Sequence, residues 1–358
     1  MADRTGPPPP PGGLNVIALV SGGKDSFFSL LHCRANGHRI VALANLHPPA
    51  QQTGLDTSLD TSLLETAHPP AHHPPAGGAP GNDIADEDER DLNSFMYQTV
   101  GHQLIPLYAE ATGLPLYRRP INGAAAQHDK DYSHYGPPPA PGEVEMADLG
   151  LDETESMVPL LQAIMKAHPE ANALCAGAIL STYQRTRVES VAVRLGLTPL
   201  AYLWNFPVLP TPGSAAGSDD AQLLDDMAAA GMEARIVKVA SGGLDESFLW
   251  TDVAAPGSKA RLARAMGRFG PAERGAVIGE GGEFETLVLD GPKGLFKKRI
   301  VVDEADRRVV AEGGGTAWLS VRNARLEEKD PTAAEGTVRI PDLLNPKFAH
   351  ILSTLSSP

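Results

Sequence analysis

Residues 14–26 read LNVIALVSGGKDS and set the architecture of the N-terminal half of the chain. The apolar run of residues 14–20 is typical of a strand that is covered on both faces. A glycine-rich turn follows it and leads into a predicted helix over residues 26–36, which Gly37 closes. A buried strand that passes directly into a helix is the repeating unit of parallel α/β sheets.

The same unit recurs through the first 206 residues. Further strands are predicted at residues 39–46, 114–121, 171–180 and 199–203, and further helices at residues 91–112, 152–168 and 182–195. Repeated units of this kind predict an α/β fold with a doubly wound parallel sheet and ligands at the carboxyl ends of its strands. From residue 207 the elements become shorter, which predicts a second, smaller α/β domain.

Proline-rich segments interrupt this pattern. Half of the 32 prolines cluster in three stretches, at residues 7–11, 48–80 and 137–141. Such segments have little capacity to pack into a core. The predicted organisation is a disordered start (1–13), a first domain (14–206) with surface insertions at 47–90 and 122–150, a substrate-binding domain (207–302) and a C-terminal extension (303–358). The extension has no clear stop, so the chain is expected to be part of something longer.

Composition narrows the class of protein. The formal net charge of −14 argues against a nucleic-acid scaffold held by a basic face, although residues 83–91 and 143–155 alone carry −5 and −6. No apolar run is long enough to span a bilayer, and the proline-rich start lacks the apolar core of a secretory signal. These features predict a cytoplasmic protein with no direct nucleic-acid partner and no membrane contact.

The turn after the first strand has the chemistry of an anion site. It consists of Ser21, Gly22, Gly23, Lys24, Asp25 and Ser26. Two glycines let backbone N–H groups approach an anion, and the start of the helix adds unpaired N–H groups and a positive dipole end. Lys24 adds a point charge. The spacing is not that of a Walker A loop, and a glycine-rich turn that binds nothing is the alternative interpretation.

The six residues resemble the pyrophosphate loop of the PP-loop ATP pyrophosphatases, which have a HUP-type sheet. The resemblance implies that the loop holds the phosphates of ATP while an acceptor attacks the α-phosphorus, which yields an adenylated product and pyrophosphate. The loop alone does not identify the acceptor, because the superfamily includes tRNA-modifying enzymes and amide-forming synthetases. A non-catalytic ATP-binding module of the same fold is a further alternative.

Other stretches resemble the diphthine–ammonia ligase family more specifically. They are YQTVGH at 97–102, AILSTYQRTRVESVAVRLGL at 178–197, AYLW at 201–204, GLDE at 243–246 and EGGEFETLVLDGP at 280–292. The resemblance implies ATP-dependent amidation of diphthine, a modified histidine on elongation factor 2, with ammonium as the nitrogen source. It also implies an acyl-adenylate intermediate, AMP and pyrophosphate as products, and Mg²⁺ carried on the nucleotide phosphates.

The loop and the family stretches together define the predicted site. Catalytic roles are predicted for Lys24, Asp25, Glu283 and Glu285. Contacts with ATP are predicted for Ser21, Gly22, Gly23, Lys24, Asp25, Ser26, Asn45, Gly177 and Arg185. Contacts with the substrate are predicted for Tyr97, His102, Tyr183, Gln184, Arg187, Trp204, Glu280, Gly281, Gly282, Glu283, Phe284, Glu285 and Thr286. No dedicated metal ligands are predicted, since Mg²⁺ usually takes few protein ligands when it rides on phosphates.

Several of these residues have a structural alternative. Arg185 and Arg187 could each clamp a phosphate or carboxylate, but they lie two residues apart on a helix and cannot share one face. Glu189 lies four residues after Arg185, which predicts a helix salt bridge between the two. His102 could equally be a structural histidine.

The carboxylates near residue 280 suggest how the substrate is held. If this segment is extended, Glu283 and Glu285 point to the same side. The trimethylammonium group of diphthine attracts carboxylates and aromatic faces. We therefore hypothesise that Glu283 or Glu285 recognises that cation or orients ammonium, with Phe284, Tyr202 or Trp204 as an aromatic wall. Each of the three aromatic residues could instead belong to the core.

The two cysteines bear on the nitrogen source. Cys33 and Cys175 fall in a predicted helix and a predicted buried strand, where a cysteine is usually a small apolar filler. Thiolases and glutamine-hydrolysing synthetases need a reactive cysteine, and neither position suits that chemistry. Free ammonium is therefore the expected nitrogen donor.

Overall fold

The computed structural model describes most of the chain outside its proline-rich stretches. The described residues are 12–49, 64–67, 100–123, 125–127, 130, 132, 152–206, 221–240, 242–269, 275–330 and 335–338. Most of the start predicted to be disordered, most of the two predicted insertions and the site residue Tyr97 lie outside these ranges.

The first region is a three-layer α/β unit. Its strands are β1 (Asn15–Leu19), β2 (Arg39–His47), β3 (Glu65–Ala67), β4 (Leu116–Pro120), β5 (Ala173–Cys175) and β6 (Thr198–Leu200), and its helices are α1 (Lys24–Ala35), α2 (Leu107–Thr112), α3 (Met157–Ala167) and α4 (Thr182–Arg194). The strand order is β3-β4-β2-β1-β5-β6. All neighbouring pairs are parallel except β3 with β4. The predicted doubly wound parallel sheet is confirmed.

Strand β1 shows why this sheet is covered on both faces. Its side chains alternate, so Val16 and Ala18 enter the core that contains α1 and α2, while Ile17 enters the core that contains α3 and α4. The chain turns from β1 to β2 on one side and later returns to β5 on the other. This reversal places the end of β1 at the point where open α/β sheets bind ligands.

The local structure differs from the sequence prediction at several places. The strand predicted over residues 171–180 ends at Cys175, and the remaining residues form a loop. The helix predicted from residue 152 starts as a short 3₁₀ turn, in which the Asp152 carboxylate accepts a hydrogen bond from the Thr154 N–H at 3.0 Å. The insertion predicted over residues 47–90 includes β3, which extends the sheet at its edge.

The second region is built on an antiparallel sheet. Its elements are α5 (Gln222–Ala229), β7 (Glu233–Val239), α6 (Ser258–Met266), β8 (Phe284–Asp290), β9 (Lys298–Val301), β10 (Arg307–Gly313), β11 (Thr316–Val321) and β12 (Arg325–Glu328). The sheet has the order β10-β11-β7-β8, and β9 pairs with β12 beside it. The sheet therefore runs past residue 302, where the boundary of the second domain is predicted.

The two regions share one apolar core and are joined directly at β8. The larger buried cluster contains residues of both sheets. The Val288 N–H donates to the Gly22 carbonyl at 2.8 Å, and the buried Tyr108 hydroxyl donates to the Val288 carbonyl at 2.7 Å. A strand of the second region is thus hydrogen-bonded to the glycine-rich loop of the first. Within the described ranges, none of the helices has the length and apolarity needed to cross a membrane.

Candidate active site

A cavity of about 720 Å³ opens where β8 meets the carboxyl ends of β1, β2 and β5. Its lining includes two glycine-rich segments, which we call the first loop (residues 21–26) and the second loop (residues 279–286). All residues of the first loop except Gly22 line the cavity, as do all residues of the second loop except Glu283. The structure therefore brings together two segments that are separated by more than 250 positions in the sequence.

The first loop is organised to present backbone N–H groups. Gly23 is the N-cap of α1, and its carbonyl accepts a hydrogen bond from the Ser26 hydroxyl at 2.9 Å. The Gly23 N–H in turn donates to the Ser21 hydroxyl at 3.3 Å. The first turn of a helix has N–H groups without intrahelical partners, and here this turn faces the cavity. The loop therefore has the geometry of an anion cradle, and its contact with ATP stays a prediction.

Gly22 supports this loop without lining the cavity. Its φ of +92° lies in the region that favours glycine, and a Cβ on it would come 2.6 Å from the Ile105 Cδ1 atom. The Gly22 carbonyl accepts hydrogen bonds from Tyr108 and Val288. Gly22 thus allows the turn to pack closely against the second region, and its predicted contact with ATP stays a prediction.

Lys24 and Asp25 form an ion pair at the floor of the cavity. The Lys24 ammonium lies 2.8 Å from a carboxylate oxygen of Asp25 and 5.5 Å from the centre of the Phe284 ring. The other carboxylate oxygen of Asp25 is buried and has no hydrogen-bond partner among the described residues. Burial raises the pKa of the Asp25 carboxyl, and the Lys24 ammonium opposes this rise. The pair thus leaves one buried oxygen of Asp25 without a hydrogen-bond partner among the described residues.

The loop after β5 must lie almost in contact with α1. A Cβ on Gly177 would come 2.7 Å from the Ser26 nitrogen and 2.7 Å from the Asp25 carbonyl carbon, which are both backbone atoms. Only a residue without a side chain fits this close approach. The structure therefore places Gly177 against the first loop, in the cavity lining, and its contact with ATP stays a prediction.

The three glutamates of the second loop have different environments. The Glu283 side chain is buried and folds back, so that its carboxylate accepts a hydrogen bond from the Gly281 N–H at 2.9 Å. Glu285 faces the cavity and lies 3.3 Å from the Lys238 ammonium on β7. The Glu280 carboxylate accepts a hydrogen bond from the Leu180 N–H at 3.0 Å. Only Glu280 and Glu285 line the cavity.

Glycines shape the second loop around these carboxylates. Gly282 has a φ of +80°, and a Cβ on Gly281 would come 2.5 Å from a carboxylate oxygen of Glu283. The strand begins only at Phe284, so Glu283 lies outside the extended segment. The expectation that Glu283 and Glu285 point to the same side required an extended segment, a condition that Glu283 does not meet, and of the two only Glu285 lines the cavity.

Thr286 joins the two loops. Its hydroxyl oxygen accepts a hydrogen bond from the Lys24 N–H at 3.1 Å, and the Thr286 side chain is buried. Phe284, two residues earlier on the same strand, also lines the cavity, and the Lys24 ammonium lies over its ring. The second loop thus fixes the start of α1 as well as contributing side chains to the cavity.

Arg185 and Arg187 make different contacts. The Arg185 guanidinium donates to Glu189 at 2.6 Å, which confirms the predicted salt bridge, and it stacks on the Trp204 ring at 4.6 Å. Arg187 is fully buried and donates to the backbone carbonyls of Tyr183 and Gln127.

Neither arginine lines the cavity. The Arg187 guanidinium is held by the carbonyl of Gln127, a residue of the predicted insertion, and its predicted contact with the substrate stays a prediction. The ATP contact of Arg185 stays a prediction.

The other predicted site residues differ in whether they line the cavity. Tyr183 and Gln184 line the cavity, at the start of α4. Asn45 also lines it, but its side chain already donates to the Val20 carbonyl and accepts from Arg118. His102 stacks on His47 at 6.4 Å between ring centres, outside the cavity lining.

The predicted aromatic wall is reduced to one residue. Phe284 lines the cavity, whereas Trp204 stacks on Arg185 and the Tyr202 hydroxyl pairs with the His38 ring nitrogen at 2.6 Å. Tyr202 packs against the larger buried cluster, whereas Trp204 lies outside both clusters, and neither residue lines the cavity.

Some members of the site are not among the sequence predictions. Lys238, the partner of Glu285, lies in a strand whose pattern gives no sign of a site. An apolar strip also lines the cavity, formed by Leu19, Ala44, Leu46, Met157, Ala176 and Val188. The ends of the predicted strands would have indicated some of this strip, because the carboxyl ends of parallel strands meet at one edge.

The cysteines and possible metal ligands add little to the cavity. Cys33 and Cys175 are buried, as expected for apolar fillers, and the Cys175 sulfur lies 3.0 Å from the Ser29 hydroxyl. Within the described ranges, no group of three His, Cys, Asp or Glu side chains is arranged to hold a metal ion.

Comparisons with known proteins agree with this geometry. Residues 219–317 match the family described as "Diphthamide synthase C-terminal domain". The chain is 36% identical to a diphthine–ammonia ligase of Schizosaccharomyces pombe over 96% of its own length and 45% of that protein. It is 36% identical to that of Danio rerio (89% of this chain, 98% of the relative) and 37% identical to that of Homo sapiens (88% and 94%). The chain spans less than half of the fission yeast relative but nearly all of the two vertebrate ones. With its two glycine-rich loops in one cavity and relatives of this identity along most of its length, the chain belongs to the diphthine–ammonia ligase family.

Proposed function

We propose that this chain uses ATP to activate the carboxylate of diphthine on elongation factor 2 and amidates it with ammonium. The names of its relatives point to this reaction, and one observation in the structure supports it for this chain. The first loop, at the start of α1, and the carboxylate-rich second loop line the same cavity. Because the substrate is a translation factor, we also propose that the chain works in the cytoplasm.

The residues at the first loop fit a nucleoside triphosphate. The open N–H groups of the first helical turn and the Lys24 ammonium suit the phosphates. The apolar strip at the ends of β1, β2 and β5 suits a purine base, since Leu19, Ala44 and Ala176 offer flat contact without charge. Gly177 leaves room for the backbone to close on the phosphate end. We infer that Mg²⁺ enters on the phosphates.

ATP supplies the AMP group that makes a carboxylate oxygen a good leaving group. A carboxylate oxygen leaves poorly, whereas an acyl-adenylate can release AMP when ammonia adds. This chemistry needs positive charge at the phosphates and exclusion of water from the activated acyl group. Lys24 supplies the charge, and the packing of β8 against the first loop walls the site from one side.

The second loop suits a substrate that carries a fixed positive charge. Diphthine has a trimethylammonium group, which carboxylates and aromatic faces attract. Glu285 and Phe284 both line the cavity, whereas Glu283 is turned away into its own loop. We therefore assign recognition of this cation to Glu285 with Phe284, and we assign to Glu283 the shaping of the loop.

A direct test uses the purified chain with ATP, ammonium and elongation factor 2 that bears diphthine. We expect AMP and pyrophosphate to form and the mass of the modified histidine to decrease as the acid becomes an amide. The control is elongation factor 2 without diphthine, which should give neither product. Formation of ADP, or hydrolysis of ATP at the same rate with both factors, would contradict the proposal.

A further inference from the structure

Glu280 differs from the other two glutamates of the second loop. Glu283 is bound by the Gly281 N–H, and Glu285 lies beside the Lys238 ammonium. Glu280 lines the cavity, and one of its oxygens is held by the Leu180 N–H at 3.0 Å. Throughout the part of the chain that the structure describes, no lysine or arginine forms an ion pair with it. Its carboxylate is oriented by one backbone bond without being neutralised.

The surroundings of Glu280 favour a proton acceptor near neutral pH. Burial is the main cause that raises the pKa of this carboxyl to about 7, and the negative charges of Asp25 and Glu283 add to the rise. The Lys24 ammonium and the Leu180 N–H act in the opposite direction. These groups come from α1, from the loop after β5 and from the second loop itself, which together enclose Glu280. A base works best when its pKa lies close to the working pH.

Such a group would let the cavity use ammonium itself as the nitrogen source. Ammonium is the abundant form of ammonia at neutral pH, and it has no free electron pair with which to attack an acyl group. Asp25 and Glu280 place two carboxylates in the cavity next to Lys24, at the end where the phosphates would lie. A small cation is attracted to this place, and a carboxylate there can take its proton.

We propose that Glu280 accepts a proton from ammonium inside the cavity and so generates the ammonia that attacks the activated diphthine carboxyl. This role rests on the proposed amidation and deepens it, because it assigns the nitrogen-activating step to one residue. The proton passes from nitrogen to the Glu280 carboxylate. The freed electron pair forms the C–N bond, and the C–O bond to AMP breaks with its electron pair on the phosphate. The second proton on nitrogen goes to solvent, and Glu280 releases its proton to solvent before the next cycle.

The test compares two nucleophiles in the Glu280→Gln variant. Gln keeps an oxygen that can accept from the Leu180 N–H but cannot take up a proton. With ammonium at neutral pH, we expect the amidation rate to fall by about 10²–10⁴-fold. With hydroxylamine, which is largely uncharged at neutral pH, we expect hydroxamate to form at close to the wild-type rate. Glu304→Gln, an exposed glutamate of the second region, is the matched control and should change neither rate.

The pH profile gives a second readout. In the wild-type protein the rate with ammonium should rise as the pH passes through about 7, because Glu280 must be ionised to act. The deficit of Glu280→Gln should shrink at high pH, where free ammonia is supplied by solvent. Glu280→Asp should restore part of the rate with ammonium.

Equal losses with ammonium and hydroxylamine, or a deficit that does not change with pH, would overturn the proposal and leave Glu280 a purely structural residue. Failure of the proposed function would look different. In that case the wild-type protein would form neither amide nor hydroxamate.

Discussion

In the two glycine-rich loops, glycine allows groups of opposite charge to be placed at the cavity. In the first loop, glycine at positions 22 and 23 brings backbone N–H groups and the Lys24 ammonium to one side of the cavity. In the second loop, glycine at positions 281 and 282 lets a carboxylate fold back onto its own backbone. The first loop contributes N–H groups and the Lys24 ammonium to the cavity, and the second contributes the Glu280 and Glu285 carboxylates.

This difference indicates how one cavity can hold both an anionic nucleotide and a cationic acceptor. A site with a single sign of charge would attract one of them and repel the other. Here the Lys24 N–H is bonded to Thr286, so the positive loop and the negative loop are fixed relative to each other. Their contrast can be tested residue by residue, from the first loop to the second.

After Glu280→Gln, the largest effect is expected from Lys24→Gln. This change removes the point charge that faces the phosphates and leaves Asp25 without its ion-pair partner. We expect pyrophosphate release to slow by about 10²–10³-fold, mainly in kcat, since charge stabilisation at a reacting phosphate is of this size. The control is Lys259→Gln, which breaks an exposed ion pair with Asp225 and should leave the rate unchanged. A small change in Lys24→Gln would mean that the first loop binds through its backbone alone.

A smaller effect is expected from Gly177→Ala. The new methyl group would meet the backbone of Asp25 and Ser26 at 2.7 Å and push the first loop out of place. Overpacking of this kind costs about 1–3 kcal/mol, so we expect the Kd for ATP to rise about tenfold or more.

Gly267→Ala offers a matched control for that change. Nothing lies within 4 Å of a Cβ at Gly267, and its φ is −72°. Calorimetric titration with ATP should therefore separate the two variants. An unchanged Kd in Gly177→Ala would show that the close contact of this loop with α1 is not needed for nucleotide binding.

How far the sequence could predict this site depends on the range of each contact. The continuous apolar run of β1 and the following glycines specify a strand, a turn and a helix through local chemistry, and they fix the first loop without knowledge of the rest of the fold. The pair of Arg185 with Glu189 is equally local, since residues four apart on a helix are neighbours.

Long-range contacts set the rest. Arg187 donates to the carbonyl of Gln127, 60 positions away. The position of Arg187 in α4 does not indicate this contact. Glu285 meets Lys238 through the pairing of β7 with β8. The Glu283 carboxylate accepts from the Gly281 N–H in the turn before β8, where the alternation of a strand does not apply.

The smallest effect is expected within the second loop, where Glu283→Gln and Glu285→Gln should separate. Glu285 faces the cavity, so its loss should raise the KM for diphthine-bearing elongation factor 2 about tenfold with little change in kcat, as expected for one cation contact. Glu283 only accepts from the Gly281 N–H, and the oxygen of Gln can still do so. The loss of charge assistance there costs about 1 kcal/mol, and we expect a change of only severalfold.

The ranking of these two variants decides which carboxylate meets the substrate. Both substitutions remove one negative charge from the same loop, so a general electrostatic effect would change the two KM values equally. A larger loss in Glu283→Gln would show that the loop opens when substrate binds and turns Glu283 into the cavity. In that event the contrast between the two loops would hold only for the free protein, because the fold of Glu283 onto Gly281 would be a resting state that the cation of the substrate replaces.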